Sequence, residues 1–334
     1  MTRQRSSNAL AGNRVAAVDQ EQDRDYGALV FYSEFDDPAA WNAAMKLYLP
    51  SLDFRVHPDV GDPEEVRYAL TWKPFPGFFK PFKNLSLVVN LGAGIDSLAG
   101  RDDLPDVPIC RLSDPGMVAM MKSYVLFAVI RYARDIPSLE KAKMRGEWHY
   151  IHPRPLDEIK VGVLGLGALG SAAASALASL GFDVRGWDHR EKSVPGVDVY
   201  RDPADWNRFF SDIEILVNML PLTPATRGMI GANVFQALPA GAYFVNASRG
   251  EVVDEPALIE ALRSGHLGGA TLDVFAVEPL PGDHPFWAMD NVLITPHLAS
   301  ITVPEKAACD VAESIRRVSQ GKPPLHQVDP HQGY

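Results

Sequence analysis

Short apolar runs alternate with amphipathic stretches along the first part of the chain. The runs 28–32, 54–56, 69–72 and 87–90 have the length of strands, and residues 38–49 have the polar and apolar spacing of a helix. Glycine- or proline-rich turns follow these runs. The alternation of strands and helices predicts a parallel α/β sheet.

A long helical pattern covers residues 117–134, and a second alternating series begins at residue 159. Within that series, residues 171–180 form an alanine-rich helical stretch, and several apolar runs predict strands. These runs are 159–164, 183–187, 213–220, 242–246, 269–274 and 292–295. Their spacing is typical of a doubly wound sheet. A last helix is predicted at 303–320, where it would pack back on the first sheet.

A chain of 334 residues suits two domains, at on the order of 150 residues each. We therefore expect an α/β fold with two Rossmann-like, doubly wound parallel-sheet domains and an active-site cleft between them. Residues 28–120 and 303–334 would form a discontinuous substrate-binding domain, and residues 121–302 a dinucleotide-binding domain. The polar residues 1–27 are interpreted as a poorly ordered tail.

Composition narrows the class of protein. The formal net charge of −10 argues against nucleic-acid or anionic-membrane partners, because a polyanion would be repelled over most of the surface. Only Cys110 and Cys309 are present, which excludes a secreted disulfide framework and favours the cytoplasm. Apolar runs such as 124–130 are shorter than the ~20 residues that a membrane span needs. No metal site is expected.

A glycine-rich turn stands between the strand predicted at 159–164 and the following helix. It reads Gly165-Leu166-Gly167-Ala168-Leu169-Gly170. The first glycine permits a tight turn, the second lets the backbone approach a pyrophosphate, and the third lets helix and strand pack closely. The helix N-terminus attracts the negative charge. A glycine pattern alone is weak, but its position between strand and helix indicates a dinucleotide site.

The residues after the next predicted strand bear on the choice of cofactor. Asp188 follows Gly170 by 18 positions, where a carboxylate can bind the adenosine ribose and disfavour a 2′-phosphate. His189 and Arg190 come next, and a nearby arginine is what a 2′-phosphate site uses. A solvated turn is the structural alternative. The residues predict NAD(H) or NADP(H), with a lean toward NAD(H).

Three polar residues stand at the ends of later predicted strands: Arg249, Glu278 and His297. An open α/β sheet places its ligands at the carboxyl ends of its strands. Reduction of a 2-keto acid needs a cation near the keto oxygen and carboxylate, a proton donor, and a carboxylate that keeps this donor protonated. The three residue types fit those roles, although each taken singly could be an ordinary surface residue.

In these segments the chain resembles the D-isomer-specific 2-hydroxyacid dehydrogenase family, from about residue 85 to about residue 305. Besides the glycine turn, the motifs are Asn246-Ala247-Ser248-Arg249-Gly250, Thr271-Leu272-Asp273-Val274-Phe275-Ala276-Val277-Glu278-Pro279 and Thr295-Pro296-His297. The chain looks most like the glyoxylate/hydroxypyruvate reductase A branch. This finer resemblance rests on Leu91-Gly92-Ala93-Gly94-Ile95-Asp96-Ser97, Asp114-Pro115-Gly116-Met117 and Trp287.

The resemblance implies a role for each matching residue. Arg249 would orient and polarise the substrate, His297 would be the general acid, and Glu278 its partner. The backbone amides of Ala93 and Gly94 would hold the substrate carboxylate. The positions that match the family's cofactor site are Gly165, Gly167, Ala168, Leu169, Gly170, Asp188, His189, Arg190, Pro221, Thr226 and Asp273. Asp188 departs from the reductase A branch, where an uncharged residue is expected, so that branch's NADPH preference is not carried over.

The aromatic segment 75–82 and Trp72 would line either the substrate mouth or the core. The resulting hypothesis is NAD(P)H-dependent reduction of small 2-keto acids, such as glyoxylate and hydroxypyruvate, to D-2-hydroxy acids by a homodimer. A formate-type dehydrogenase is disfavoured because the resemblance would then require glutamine in place of Glu278. The alternative from another class is a non-catalytic, NAD(H)-sensing binding protein of the same fold.

Overall fold

The computed structural model describes residues 25–330, so the predicted tail lies outside the described residues except for its last three positions. The chain divides into two compact units. Unit 1 extends to Asp114 and resumes at Thr302, and unit 2 comprises Pro115–Ile301. The boundary predicted at residues 120 and 121 falls inside a helix that belongs to unit 2 from its first residue.

Unit 1 is a six-stranded sheet with two helices. Its strands are β1 (Ala28–Tyr32), β2 (Asp53–Val56), β3 (Val66–Thr71), β4 (Leu87–Asn90), β5 (Ile109–Arg111) and β13 (Gln327–Val328), and its helices are α1 (Pro38–Lys46) and α8 (Pro304–Ser319). The strand order is β13-β5-β4-β3-β1-β2, and β13 alone pairs antiparallel. Helix α8 packs on α1 within this unit. The carboxyl ends of β1, β3 and β4 therefore lie side by side along one edge.

Unit 2 is a seven-stranded sheet in which every pairing is parallel. Its strands are β6 (Lys160–Leu164), β7 (Asp183–Trp187), β8 (Val197–Tyr200), β9 (Ile215–Asn218), β10 (Ala242–Asn246), β11 (Leu267–Leu272) and β12 (Val292–Ile294). Its helices are α2 (Pro115–Ala133), α3 (Ile136–Met144), α4 (Ala168–Ser179), α5 (Trp206–Phe210), α6 (Ala232–Ala237) and α7 (Glu255–Arg263). The order β12-β11-β10-β9-β6-β7-β8 reverses direction beside β6. This reversal places the topological switch point, the usual ligand position in such sheets, at the end of β6.

Helix α2 is long and apolar enough to cross a membrane by length and composition, and no other helix in residues 25–330 is. Core helices of globular proteins meet the same criterion. In unit 2 its Val125, Ala128 and Val129 are fully buried in one apolar cluster with Val161 of β6 and Ala173 of α4. These contacts are those of a core helix.

The predicted α/β fold with two parallel sheets is confirmed. The sequence pattern missed β5, β8 and β13, each only two to four residues long, because so short a run shows no period. It also missed the helices α3, α5, α6 and α7. In α3, Pro137 lies in the first turn, where a missing N–H breaks no helical hydrogen bond.

Candidate active site

Three neighbouring strands of unit 2 carry the predicted catalytic residues just beyond their carboxyl ends. Strands β10, β11 and β12 are adjacent and parallel, so the segments that follow them leave the sheet at one edge. Arg249 follows β10, Glu278 follows β11 and His297 follows β12. The sheet topology thus gathers residues that are 19 or more positions apart in the sequence.

His297 and Glu278 form a hydrogen-bonded pair. The Nδ1 atom of His297 lies 2.8 Å from Oε2 of Glu278, and the two side chains are 29% and 22% exposed. The other carboxylate oxygen of Glu278 accepts a hydrogen bond from the backbone N–H of Phe275 at 3.1 Å. The carboxylate is therefore fixed at both oxygens. Because the carboxylate engages Nδ1, Nε2 is the ring nitrogen that remains to face a ligand.

The backbone of His297 has a φ of +54°, in the left-handed region that favours glycine. Asp273 holds this conformation. Its backbone oxygen accepts from His297 N at 2.8 Å, and its buried carboxylate accepts from the N–H groups of Leu298 and Ala299, both at 2.9 Å. The Thr295 hydroxyl also donates to this carboxylate, at 2.6 Å. These bonds supply the free energy that holds His297 in this strained conformation.

A second network shapes the segment that carries Arg249. The side-chain amide of Asn246 donates to the backbone oxygen of Arg249 at 3.2 Å, and its oxygen accepts from the Asn218 amide at 3.0 Å. Gly250 follows at a point of very close packing. A Cβ placed there would lie 1.9 Å from the carbonyl carbon of Phe275, so only glycine lets the segments after β10 and β11 pass each other.

The glycine turn after β6 has the geometry of a phosphate-binding loop. Gly165 has a φ of +91°, and a Cβ there would lie 2.7 Å from the Met219 oxygen. A Cβ on Gly170 would lie 1.9 Å from the Gly165 oxygen, so this glycine is required by helix packing. Gly167 is exposed and a Cβ there would touch no protein atom. Protein packing thus requires two of the glycines, and the third leaves room for a ligand at the amino end of α4. The residues of this turn therefore fit the pyrophosphate group of a dinucleotide.

Asp188 lies at the end of β7 and is only 8% exposed. Its Oδ2 atom accepts from the backbone N–H of Leu166 at 3.0 Å, and its Oδ1 atom accepts from the N–H of Arg190 at 2.9 Å. The carboxylate thus ties the glycine turn to the turn after β7. The side chains of His189 and Arg190 are exposed beside it, with Arg190 Nε 3.2 Å from His189 Nε2.

The remaining predicted cofactor residues lie on the turn after β9. The hydroxyl of Thr226 donates to the backbone oxygen of Pro221 at 2.6 Å, which closes this turn. Since β9 neighbours β6 in the sheet, this turn and the glycine turn leave the same edge of unit 2. A cavity of about 280 Å³ lies elsewhere, beside Glu214 and Ala242 at the amino ends of β9 and β10.

In unit 1, the segment after β4 contains Ala93 and Gly94. Within the described residues 25–330, the backbone N–H groups of these two residues donate no hydrogen bond to the protein. The ring of Trp72 covers the same segment, because a Cβ on Gly92 would lie 2.2 Å from that ring. Of the aromatic segment 75–82, Phe78, Phe79 and Phe82 are buried in the core and only Phe75 is exposed.

Sequence reasoning missed Asn90 and Arg111, whose side chains bond to the backbone of this segment. An asparagine as the last residue of a buried strand, directly before a glycine-rich turn, is the signal that could have identified Asn90. Arg111 had no such signal because β5 itself was not predicted.

Comparison with known proteins gives consistent results. Residues 126–299 match the family model of the D-isomer-specific 2-hydroxyacid dehydrogenase NAD-binding domain. A glyoxylate/hydroxypyruvate reductase A from Serratia proteamaculans is 36% identical over 312 residues, which cover 92% of this chain and 99% of that protein.

Two solved structures extend the comparison. A D-isomer-specific 2-hydroxyacid dehydrogenase from Xanthobacter autotrophicus, in complex with NADPH and MES, is 58% identical with a TM-score of 0.89 and covers 92% of this chain and 99% of its own. An NADPH-dependent glyoxylate/hydroxypyruvate reductase from Sinorhizobium meliloti, in complex with NADP and sulfate, is 33% identical with a TM-score of 0.86 and covers 92% and 100%.

These relatives bear on the choice of cofactor. Both of the solved structures named above hold NADPH or NADP. The lean toward NAD(H) expected from the sequence is therefore not supported. The structure also removes the basis of that lean, because both oxygens of the buried Asp188 carboxylate already accept backbone N–H groups of the protein. The chain belongs to the D-isomer-specific 2-hydroxyacid dehydrogenase family, in its glyoxylate/hydroxypyruvate reductase A branch, and is an NAD(P)-dependent reductase of keto acids.

Proposed function

We propose that this enzyme reduces glyoxylate and hydroxypyruvate with NADPH and that any chiral product has the D configuration. The observation that carries the proposal is the hydrogen bond between His297 and Glu278. These two residues and Arg249 follow three consecutive strands of one sheet, β12, β11 and β10. The names of the relatives indicate the substrate class: short, polar 2-keto acids.

His297 acts as the general acid in this proposal. Its Nδ1 atom is engaged by Glu278 at 2.8 Å, so the proton that reaches the keto oxygen of the substrate comes from Nε2. The carboxylate stabilises the positive charge that the ring carries before it gives up this proton. Arg249 binds the substrate carboxylate and keto oxygen with its planar guanidinium, and thereby stabilises the negative charge that develops on the oxygen.

The glycine turn, with Ala168 and Leu169 at the start of α4, would bind the pyrophosphate of the cofactor. When bound, the reduced nicotinamide supplies the hydride. The exposed side chains of His189 and Arg190 would bind the 2′-phosphate, because a guanidinium binds phosphate through two parallel hydrogen bonds. Pro221, Thr226 and Asp273 are proposed to lie on the nicotinamide side.

In unit 1, the backbone amides of Ala93 and Gly94 are proposed to bind the substrate carboxylate. Two adjacent N–H groups without an acceptor in the described protein suit an anion. Trp72, packed on Gly92, would form the apolar wall of this segment.

We further propose a homodimer built through unit 2. Large apolar side chains are exposed between residues 127 and 150: Phe127, Ile130, Met144, Trp148 and Tyr150. Trp148 is 98% exposed, which is costly for a single tryptophan in water and typical of a contact surface. Light scattering after gel filtration should give twice the chain mass of 36.6 kDa, and Trp148→Asp should shift the protein toward the monomer. The free cysteines Cys110 and Cys309 agree with a cytoplasmic protein.

A single set of rate measurements tests the catalytic proposal. Glyoxylate, hydroxypyruvate, pyruvate and phenylpyruvate are each combined with NADH and NADPH, and kcat/KM is compared. We expect the highest values for glyoxylate and hydroxypyruvate with NADPH. A preference for phenylpyruvate, or an L product, would show that the substrate assignment is wrong. Absence of turnover with every pair would favour a nucleotide-sensing protein instead.

A further inference from the structure

Two side chains of unit 1 hold the carbonyl groups of the segment that follows β4. Asn90, the last residue of β4, is fully buried, and its Nδ2 atom donates to the oxygens of Gly92 at 3.0 Å and Gly94 at 2.8 Å. Arg111, the last residue of β5, donates from Nη1 to the oxygen of Ala93 at 3.0 Å. Asn90 and Arg111 are register partners on the two parallel strands.

Each of these bonds acts on a peptide group whose N–H lies on the opposite side. The Gly92 oxygen and the Ala93 N–H belong to one planar, trans peptide, so they point in opposite directions. The same holds for the Ala93 oxygen and the Gly94 N–H. A side chain that binds the oxygen therefore directs the N–H away from itself. It also polarises the peptide, which makes the N–H a stronger donor.

We propose that Asn90 and Arg111 are positioning residues for the carboxylate of the substrate. Asn90 sets the Ala93 N–H through the Gly92 carbonyl, and Arg111 sets the Gly94 N–H through the Ala93 carbonyl. The inference rests on the proposed function in one respect, which is that the Ala93 and Gly94 amides bind the substrate carboxylate.

Arg111 contributes in a second way. Its guanidinium is a permanent positive charge one peptide group away from the amide that it orients. In a chain with a net charge of −10, a local cation lowers the electrostatic free energy of a small anion at this point. Loss of Arg111 should therefore weaken the binding of an anion more than the binding of a neutral ligand, which a purely structural role would not do.

The test uses the full-length protein saturated with NADPH, and oxamate as the probe. Oxamate has a carboxylate beside a carbonyl group and is not reduced. Its Kd is measured by calorimetry for the wild type, Asn90→Leu and Arg111→Met. The matched controls are Asn84→Leu and Arg55→Met, because these two residues also donate to backbone oxygens in unit 1, those of Glu64 and Val60.

We expect the Kd for oxamate to rise by about tenfold or more in each test variant, the scale of one hydrogen bond to a charged group. The Kd for NADPH in the test variants should change by less than about twofold. The Kd for oxamate in the two control variants should also change by less than about twofold. Arg111→Lys keeps the charge and a donor, so it should recover part of the affinity that Arg111→Met loses. For glyoxylate, KM should rise more than kcat falls.

An unchanged Kd for oxamate in folded Asn90→Leu and Arg111→Met would overturn the inference. Equal losses for oxamate and NADPH would also overturn it, because they would indicate general damage to the fold. If Asn90→Leu fails to fold, Asn90→Ser replaces it, with the same expected rise in Kd. Turnover of glyoxylate by the wild type is a separate result: its absence would refute the proposed function, and the oxamate series would still decide the roles of Asn90 and Arg111.

Discussion

The turn after β7 allows cofactor choice to be separated from the integrity of the glycine turn. Replacing Arg190 with serine removes an exposed guanidinium and leaves its backbone N–H in place to bond Asp188. If this guanidinium binds the 2′-phosphate, a charge-assisted interaction of about 1.5 to 3 kcal/mol is lost. The Kd for NADPH should then rise by roughly 10- to 150-fold. The Kd for NADH, which has no 2′-phosphate, should change by less than about threefold.

Replacing Asp188 with serine should have a different effect. The sequence alone suggests that this change shifts preference toward NADPH. In the structure, the Asp188 carboxylate accepts from the N–H groups of Leu166 and Arg190 at 3.0 and 2.9 Å, in a nearly buried position. Serine is too short to make both bonds, so the free energy of unfolding should fall by about 2 to 4 kcal/mol. Both cofactors should bind more weakly, and their ratio should stay nearly constant.

The two cofactors are titrated against wild type, Arg190→Ser and Asp188→Ser, with the quenching of tryptophan fluorescence as the signal and urea unfolding as the stability measurement. Asp198→Ser is the matched control, because Asp198 is exposed on the neighbouring strand β8. If Asp188→Ser improves NADPH binding while stability is unchanged, the carboxylate acts on the ribose and this reasoning fails. A wild-type preference for NADH would refute the 2′-phosphate site directly.

Three further substitutions test the segments that follow the carboxyl ends of β10 and β11 in unit 2. Arg249→Lys keeps the positive charge but loses the planar guanidinium, so kcat/KM for glyoxylate should fall by roughly 10²-fold or more. The Kd for NADPH should stay constant. An unchanged kcat/KM in folded protein would show that Arg249 does not bind the substrate. Glu278→Gln removes the carboxylate charge beside the His297 ring, so kcat should fall by roughly 10²-fold. Stopped-flow rates with deuterated NADPH should verify that the chemical step limits turnover. An unchanged kcat in Glu278→Gln would show that Glu278 is not the functional partner of His297. Gly250→Ala places a Cβ 1.9 Å from the Phe275 carbonyl carbon, so Tm and activity should both fall, and a Tm within about 1 °C of wild type would contradict the packing.

The positions of Glu278, His297 and the glycine turn could be predicted because the signal for each is local. Glu278 and His297 each follow an apolar run, and in a parallel sheet the carboxyl ends of such runs lie at the same edge. The predicted pair is hydrogen bonded at 2.8 Å. The turn from Gly165 to Gly170 has its glycines at fixed offsets, and steric exclusion of a Cβ at Gly165 and Gly170 explains why.

Only the tertiary structure decided what each polar atom binds. The sequence indicates that Asp188 is an acid at a strand end, but its carboxylate binds the N–H of Leu166, 22 positions earlier in the chain. The sequence marks Asn90 only as an asparagine at the end of a strand, and it does not mark Arg111 at all. Both side chains reach the same segment because β4 and β5 are paired in register. Hydrophobic periodicity fixes which face of an element is buried, since burial depends on the side chain itself. A hydrogen bond depends on atoms from distant segments meeting within about 3 Å, and chain order alone does not encode that distance.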